Sequence, residues 1–149
     1  MLSRWLLATL HLLALPLGLG AVMTRARTLR AARGAADLSR VFLADNLWGL
    51  AAILWIVTGL VRAFGGFEKG SAYYLHDHMF YVKMGLLVLI LLLEGWPMVT
   101  LIRWRMQVRR GLTPDVSPAA TLARISALQA LLVVLMVCAA TALARGFLY

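Results

Sequence analysis

Hydrophobic residues along this chain gather into four long runs, which polar and charged residues separate. The runs cover roughly residues 5–23, 43–64, 79–104 and 119–144. Each is close to or longer than the 20 or so apolar residues that a helix needs to cross a bilayer, and none alternates as a half-buried strand would. The pattern predicts an all-α fold, an integral membrane four-helix bundle, in a single domain over residues 1–149.

Arginine is distributed unevenly among the connections between the runs. Five arginines follow the first run and four lie at or just after the end of the third, whereas the second connection has only Lys69, with Glu68 and Asp77 nearby. Because short cytoplasmic loops accumulate Lys and Arg, the first and third connections are predicted to be cytoplasmic. Both termini would then lie on the outer, periplasmic side of a bacterial inner membrane. The first run becomes an anchor rather than a cleaved signal, since the arginines after it resist translocation.

Composition supports a membrane protein and argues against a nucleic-acid-binding one. Of the 149 residues, 62% are hydrophobic and 14% charged, whereas soluble domains carry roughly 25% charged residues. The net charge of +9 comes mostly from basic residues outside the runs, where they suit lipid headgroups and form no basic groove with aromatic residues. We therefore expect a lipid bilayer as partner and no nucleic acid. A homo-oligomer or a partner in a membrane complex stays open.

Ionisable residues within the apolar runs are the candidates for function, because they are costly in lipid unless they face a bundle interior or a cavity. His11 is the candidate of the first run, and Lys83 and Glu94 are those of the third. Lys83 and Glu94 are eleven residues apart, which places them within about 20° of each other around a helix and about 16 Å apart along it. The face that they share is predicted to look into the bundle.

The second run has a stripe of polar, aromatic and small residues within about 100° of the helix surface. The stripe consists of Asp45, Trp48, Ala52, Trp55, Gly59 and Arg62. Asp45, at the inner end of this stripe, and Glu94, in the inner half of the third run, are predicted to form an acidic layer on the inner side of the membrane. A basic layer is predicted on the outer side. The outer layer would contain His11, Arg62, Lys83 and Arg145.

The basic outer layer could hold the carboxylates of a porphyrin or the headgroup of an anionic lipid. The same residues could also have purely structural roles. Arginines at helix ends can extend to lipid phosphates, which accounts for Arg62 and Arg145 without a ligand. A hydrogen bond to a neighbouring helix explains His11 as well as haem ligation does.

Other motifs carry less chemical information. The triplet His76-Asp77-His78 offers too few ligands for a closed metal site, so no metal site is predicted. Catalytic residues stay unassigned, because no catalytic serine, phosphate loop or carboxylate pair is recognisable. Trp5, Trp96 and Trp104 are predicted to lie in interfacial aromatic belts. Pairs of small residues such as Gly59 and Ala63 are predicted to let helices approach closely.

Many of these residues together resemble the bacterial membrane protein family known as domain of unknown function 2214, which has no established activity. The residues that carry the resemblance are His11, Arg27, Asp45, Trp48-Gly49-Leu50-Ala51-Ala52, Thr58-Gly59-Leu60-Val61-Arg62, Lys69-Gly70, Tyr73-Tyr74, Phe80, Lys83, Pro97, Trp104 and Ala144-Arg145-Gly146.

The chain is also distantly similar to HemJ-type protoporphyrinogen oxidases and copper-resistance D-like membrane proteins. That resemblance implies haem b bound by His11 and a functional role for Lys83. The chain departs from it in the second run, which has no methionine to serve as a second axial ligand. The leading hypothesis is a site around His11, Arg62 and Lys83 that binds haem b or a porphyrin and has a redox role. The alternative is a small transporter or a non-enzymatic accessory subunit of a membrane complex.

Overall fold

A computed structural model describes residues 2–65 and 78–145 of the chain. It contains four long helices and one short 3₁₀ helix, Ala35–Asp37, between the first two. The long helices are α1 (Leu2–Ala31), α2 (Leu38–Phe64), α3 (His78–Arg109) and α4 (Ala119–Arg145). All four are long and apolar enough to cross a membrane, which confirms the all-α membrane fold.

Three helices reach farther than their apolar runs predicted, all at the same end of the bundle. α1 continues to Ala31, α2 begins at Leu38, and α3 ends at Arg109. A helix of 32 residues is about 48 Å long, whereas the hydrocarbon core is about 30 Å thick. The end of the bundle next to connections 32–37 and 110–118 is called the arginine-rich end. The opposite end, where α1 begins and α4 ends, is called the terminal end. Helix ends beyond the hydrocarbon core can carry arginines without leaving the helical fold.

Helix α1 is central to the bundle, since it packs closely against both α2 and α4, and α4 packs in turn against α3. α1 approaches α2 closely at Gly18. A Cβ atom at Gly18 would lie only 3.3 Å from the Cβ of Ala51 and 3.6 Å from the ring of Trp48. Small residues at a membrane interface let two backbones approach in this way. Gly18 therefore allows α1 and α2 to pack closely at this level.

Trp104 belongs to the core at the arginine-rich end rather than to an interfacial belt. Only 3% of it is exposed, and it packs in a cluster with Leu29, Leu101 and Leu122. Trp5 and Trp96, by contrast, are 62% and 48% exposed. The belt prediction was wrong for Trp104 because α3 continues past it and the other helices surround that turn.

Helix α2 has one face toward the bundle and one toward lipid. Trp48 is buried, and Asp45, Ala52, Trp55 and Gly59 are half-buried. The large side chains on the other side are exposed and apolar: Leu43, Leu47, Leu50, Ile53, Val57 and Leu60. The face that the stripe predicted is thus the one that contacts other helices.

The turn after α3 depends on one glycine. Gly111 has a φ of 71°, a left-handed conformation that suits glycine, and the Leu112 N–H bonds back to the Gln107 carbonyl at 2.9 Å. Farther on, the backbone N–H and hydroxyl of Ser117 both donate to the Asp115 carboxylate. These bonds lower the pKa of Asp115 from its usual value. They also stabilise the turn that leads into α4.

Candidate functional site

A cavity of about 450 Å³ lies in the terminal half of the bundle, and all four helices line it. His11, Arg62 and Lys83, the three residues predicted to bind a cofactor, are all part of its lining. The rest of the lining is mostly apolar and includes Trp55 and Phe80. The fold thus brings to one cavity three polar residues from three different helices. We call it the terminal pocket.

The imidazole of His11 is held by contacts with α2. Its Nδ1 lies 2.8 Å from the Thr58 hydroxyl, and its ring centroid is 5.9 Å from that of Trp55. A Cβ atom at Gly59 would be only 3.3 Å from the His11 Cε1. Gly59 therefore makes room for a ring, where the sequence predicted room for a neighbouring helix backbone.

Arg62 and Lys83 bring two positive charges to the terminal pocket. Arg62 lies in the last turn of α2, and Lys83 lies in the second turn of α3. Both side chains are half-buried. The cavity thus combines a largely apolar lining with two cationic side chains. The pocket also contains two methionines, Met84 of α3 and Met136 of α4.

A second polar site lies closer to the arginine-rich end and centres on Arg25, which is fully buried. All five N–H groups of its guanidinium have acceptors. Nε donates to Ser126 at 3.0 Å, Nη1 donates to Asp45 and Glu94 at 2.7 Å each, and Nη2 donates to Glu94 at 2.8 Å and Gln129 at 2.7 Å. Arg25 and Glu94 therefore form a two-pronged ion pair, the strongest geometry for such a pair.

Glu94 is the main anion of this site. Besides the two bonds from Arg25, its Oε2 accepts the indole N–H of Trp48 at 3.0 Å and the amide of Gln129 at 2.7 Å. The Gln129 amide also donates to the Ile90 carbonyl at 3.2 Å. These bonds join all four helices. They also satisfy both ends of the buried Gln129 side chain.

Asp45 links the first arginine to a second. Its Oδ1 accepts from Arg25, and its Oδ2 accepts from Arg105 at 2.7 Å. Arg105 also donates to the Asn46 side chain at 2.7 Å and the Phe42 carbonyl at 3.2 Å. With two arginines and two carboxylates, the group has no net charge. The prediction of an acidic layer was wrong, because arginines from α1 and α3 neutralise both acids.

Nearly the whole chain matches a known family. A family model described as predicted membrane protein, domain of unknown function 2214, matches residues 3–147. The chain belongs to this family. No curated protein and no solved structure matches the chain. This member of domain of unknown function 2214 is a multi-pass membrane protein, since the family description agrees with its four membrane-length helices.

Sequence reasoning missed Arg25, Gln129 and Ser126 in this family member. Arg25 was assigned to a cytoplasmic loop because the apolar run before it ends at residue 23. One signal could have found it: seven residues separate Arg25 from Gly18, so both lie within about 20° on α1, on the face that packs against other helices. Two acids predicted inside the bundle also required a buried cation.

Arg145 was predicted to lie within the bundle, and the structure places it elsewhere. It is exposed in the last turn of α4. A side chain at the end of a helix can extend into the headgroup region, which removes any need for a partner inside. The terminal pocket is instead lined near that end by Ala144 and Thr141.

The terminal pocket and the Arg25 site are separate. His11 and Arg25 are fourteen residues apart on α1, or about 21 Å along its axis. Between them lies a small cavity of about 50 Å³, which Trp48 and Glu94 line on one side. Four apolar residues line both cavities: Leu15, Trp55, Ile56 and Leu87. An apolar wall therefore divides the ion pairs from the terminal pocket.

Metal ligands are not clustered in residues 2–65 and 78–145, where no group of three His, Cys, Asp or Glu side chains could hold a metal ion. His78 is exposed at the beginning of α3. His76 and Asp77, the other members of the triplet noted in the sequence, lie outside the described residues.

Proposed function

We propose that this membrane protein binds haem b or a porphyrin in the terminal pocket and has a redox role. One observation carries the proposal. The pocket brings His11, Arg62 and Lys83 together in a lining that is otherwise mostly apolar. A porphyrin has the matching chemistry, since it is a large apolar ring with two carboxylates at one edge.

Pocket size agrees with a ligand of this class. The volume of about 450 Å³ lies within the range of about 300–1,000 Å³ that is usual for small-molecule sites. Such sites are lined mainly by apolar and aromatic side chains, with a few charged groups that fix the orientation of the ligand. Trp55 and Phe80 supply aromatic lining here, and Arg62 and Lys83 supply charge.

Each polar residue would have its own role toward haem. His11 would supply a nitrogen ligand to the iron, and Arg62 and Lys83 would hold the propionates. Bound haem b supplies a centre that gains and loses one electron. The apolar lining would keep water away from that centre, which is one of the ways in which a protein tunes its potential.

The first experiment is a titration of the purified protein in detergent with haemin, followed by its Soret absorption. We expect a saturable red-shifted band in the wild type and its loss in His11→Ala. His78→Ala is the matched control, because His78 is exposed and is not part of the pocket. A wild type without saturable haemin binding, or a His11→Ala variant that binds normally, would refute the proposal.

The second experiment tests the charges by comparing haemin with metal-free protoporphyrin. Lys83→Met should weaken the binding of both, because Met is similarly long but cannot attract a carboxylate. Arg4→Met is the control, since it removes a charge from the terminal half of α1 at an exposed position. Equal affinities in wild type and Lys83→Met would exclude a propionate contact at Lys83.

A small transporter or a non-enzymatic accessory subunit is the second candidate function. It is favoured by the contrast between a pocket at the terminal end and a neutral ion-pair network nearer the other end. A colourless protein from cells supplied with a haem precursor would support this second function. For either function we propose the bacterial inner membrane, with both termini outside, because of the arginine-rich connections.

A further inference from the structure

The hydroxyl of Thr58 has three polar contacts. It donates to the Leu54 carbonyl of its own helix at 2.5 Å, with the Trp55 carbonyl at 3.3 Å as a longer alternative acceptor, and it lies 2.8 Å from the His11 Nδ1. A threonine hydroxyl has a single proton and two lone pairs. Since both carbonyls can only accept and the shorter of these two contacts takes that proton, the hydroxyl oxygen is the acceptor toward His11. The proton of the second bond therefore comes from the imidazole.

We propose that Thr58 is a positioning residue that holds His11 in the tautomer with its proton on Nδ1, so that Nε2 is the unprotonated ring nitrogen. A neutral imidazole has one ring N–H, so a proton fixed on Nδ1 leaves Nε2 as an acceptor or metal ligand. This assignment deepens the proposed function. The role of Thr58 in haem binding rests on that proposed function. The tautomer assignment is argued from the hydrogen bonds of Thr58 and does not depend on haem.

The surroundings of the bond make Thr58 an effective orienting group. Thr58 is only 5% exposed, so water competes poorly for its hydroxyl. Trp55 and Gly59, which are one turn apart on α2, lie against the His11 ring and restrict its rotation. Histidines that bind metals almost always donate their other ring N–H to a fixed acceptor, which sets the tautomer and the ring orientation.

The test uses the full-length protein labelled with ¹⁵N at histidine, in detergent and at a pH above the usual range of histidine titration. The His11 signals are assigned by their loss in His11→Asn. We expect a protonated Nδ1 and an unprotonated Nε2 in the wild type without haem. Thr58→Val, which keeps the shape but removes the hydroxyl, should lose this preference, and Thr58→Ser should retain it.

Haemin titration supplies the functional readout. Thr58→Val should weaken haemin binding by about tenfold or more, the loss usual when a group that orients a metal ligand is removed. Thr58→Ser should bind within a few-fold of the wild type. A purely structural role would lower the melting temperature of Thr58→Val without changing the tautomer of His11.

The outcomes separate this inference from the proposed function. A proton on Nε2 in the wild type, or an unchanged tautomer in folded Thr58→Val, would overturn the role of Thr58. A wild type with the expected tautomer but no haemin binding would refute haem as the ligand and leave the tautomer assignment standing. Should Thr58→Val fail to fold, the wild-type and Thr58→Ser spectra still decide the question.

Discussion

Replacement of Arg25 by Met tests whether the buried ion-pair network stabilises the bundle. Met is apolar and of similar length, so Arg25→Met removes five hydrogen bonds and one positive charge while filling much of the same space. Asp45 would keep its bond from Arg105. Glu94 would keep the N–H groups of Trp48 and Gln129 but would lose its only cation among the residues that the structure describes.

The expected cost follows from the charge left behind. Removal of one partner from a buried ion pair costs about 3–5 kcal/mol, because the other charge stays buried and uncompensated. The Glu94 side chain is 19% exposed, so some solvent contact reduces the penalty. We therefore expect a loss near the lower limit, about 3 kcal/mol of unfolding free energy. Arg25→Lys should be intermediate, since it restores the charge but not the two-pronged geometry.

The measurement is the unfolding free energy in mixed micelles, from titration with a denaturing detergent and detection by circular dichroism. Arg27→Met is the matched control. Arg27 is exposed two residues away on the same helix, and its replacement should change stability by no more than about 0.5 kcal/mol. This pair separates the effect of a buried arginine from the general effect of losing one positive charge.

A double variant shows whether the uncompensated carboxylate causes the loss. Arg25→Met combined with Glu94→Gln removes both charges, so it should be more stable than Arg25→Met alone. The reasoning fails if Arg25→Met costs less than about 1 kcal/mol, or if the double variant is no more stable than the single one.

Two further predictions concern the terminal pocket and the orientation. Gly59→Ala should lower haemin affinity, because its Cβ would lie 3.3 Å from the His11 ring. Gly49→Ala is the control on the same helix, since its Cβ would meet no atom within 4 Å, and it should bind haemin normally. Equal affinities of the two variants would contradict the prediction, because they would show that the His11 ring tolerates the displacement. Leu112→Cys, in a background where Cys138 is Ser, should react with a membrane-impermeant thiol reagent only from the cytoplasmic side, and labelling from outside alone would reverse the proposed orientation.

The sequence alone determined the fold class, the number of helices and the face of α2 that contacts the bundle. These features depend on local composition and on the 3.6-residue period, which a single chain shows without its partners. The stripe from Asp45 to Arg62 is an example, since apolar residues such as Ile53 and Val57 occupy the other side. His11 and Lys83 were recognisable for the same reason, because a charge or an imidazole within an apolar run is costly.

Only the tertiary structure decided the role of Arg25. A hydropathy pattern assigns an arginine that follows an apolar run to a loop, because burial of an unpaired charge costs too much free energy. Its burial becomes favourable when other helices supply acceptors, and these are 69 residues away at Glu94 and 104 away at Gln129. Trp104 was misassigned for a similar reason, since a belt residue and a core residue look alike until the neighbouring helices are placed. Long-range compensation of this kind leaves little trace in a local pattern, which is why the ion-pair network emerged only from the packed bundle.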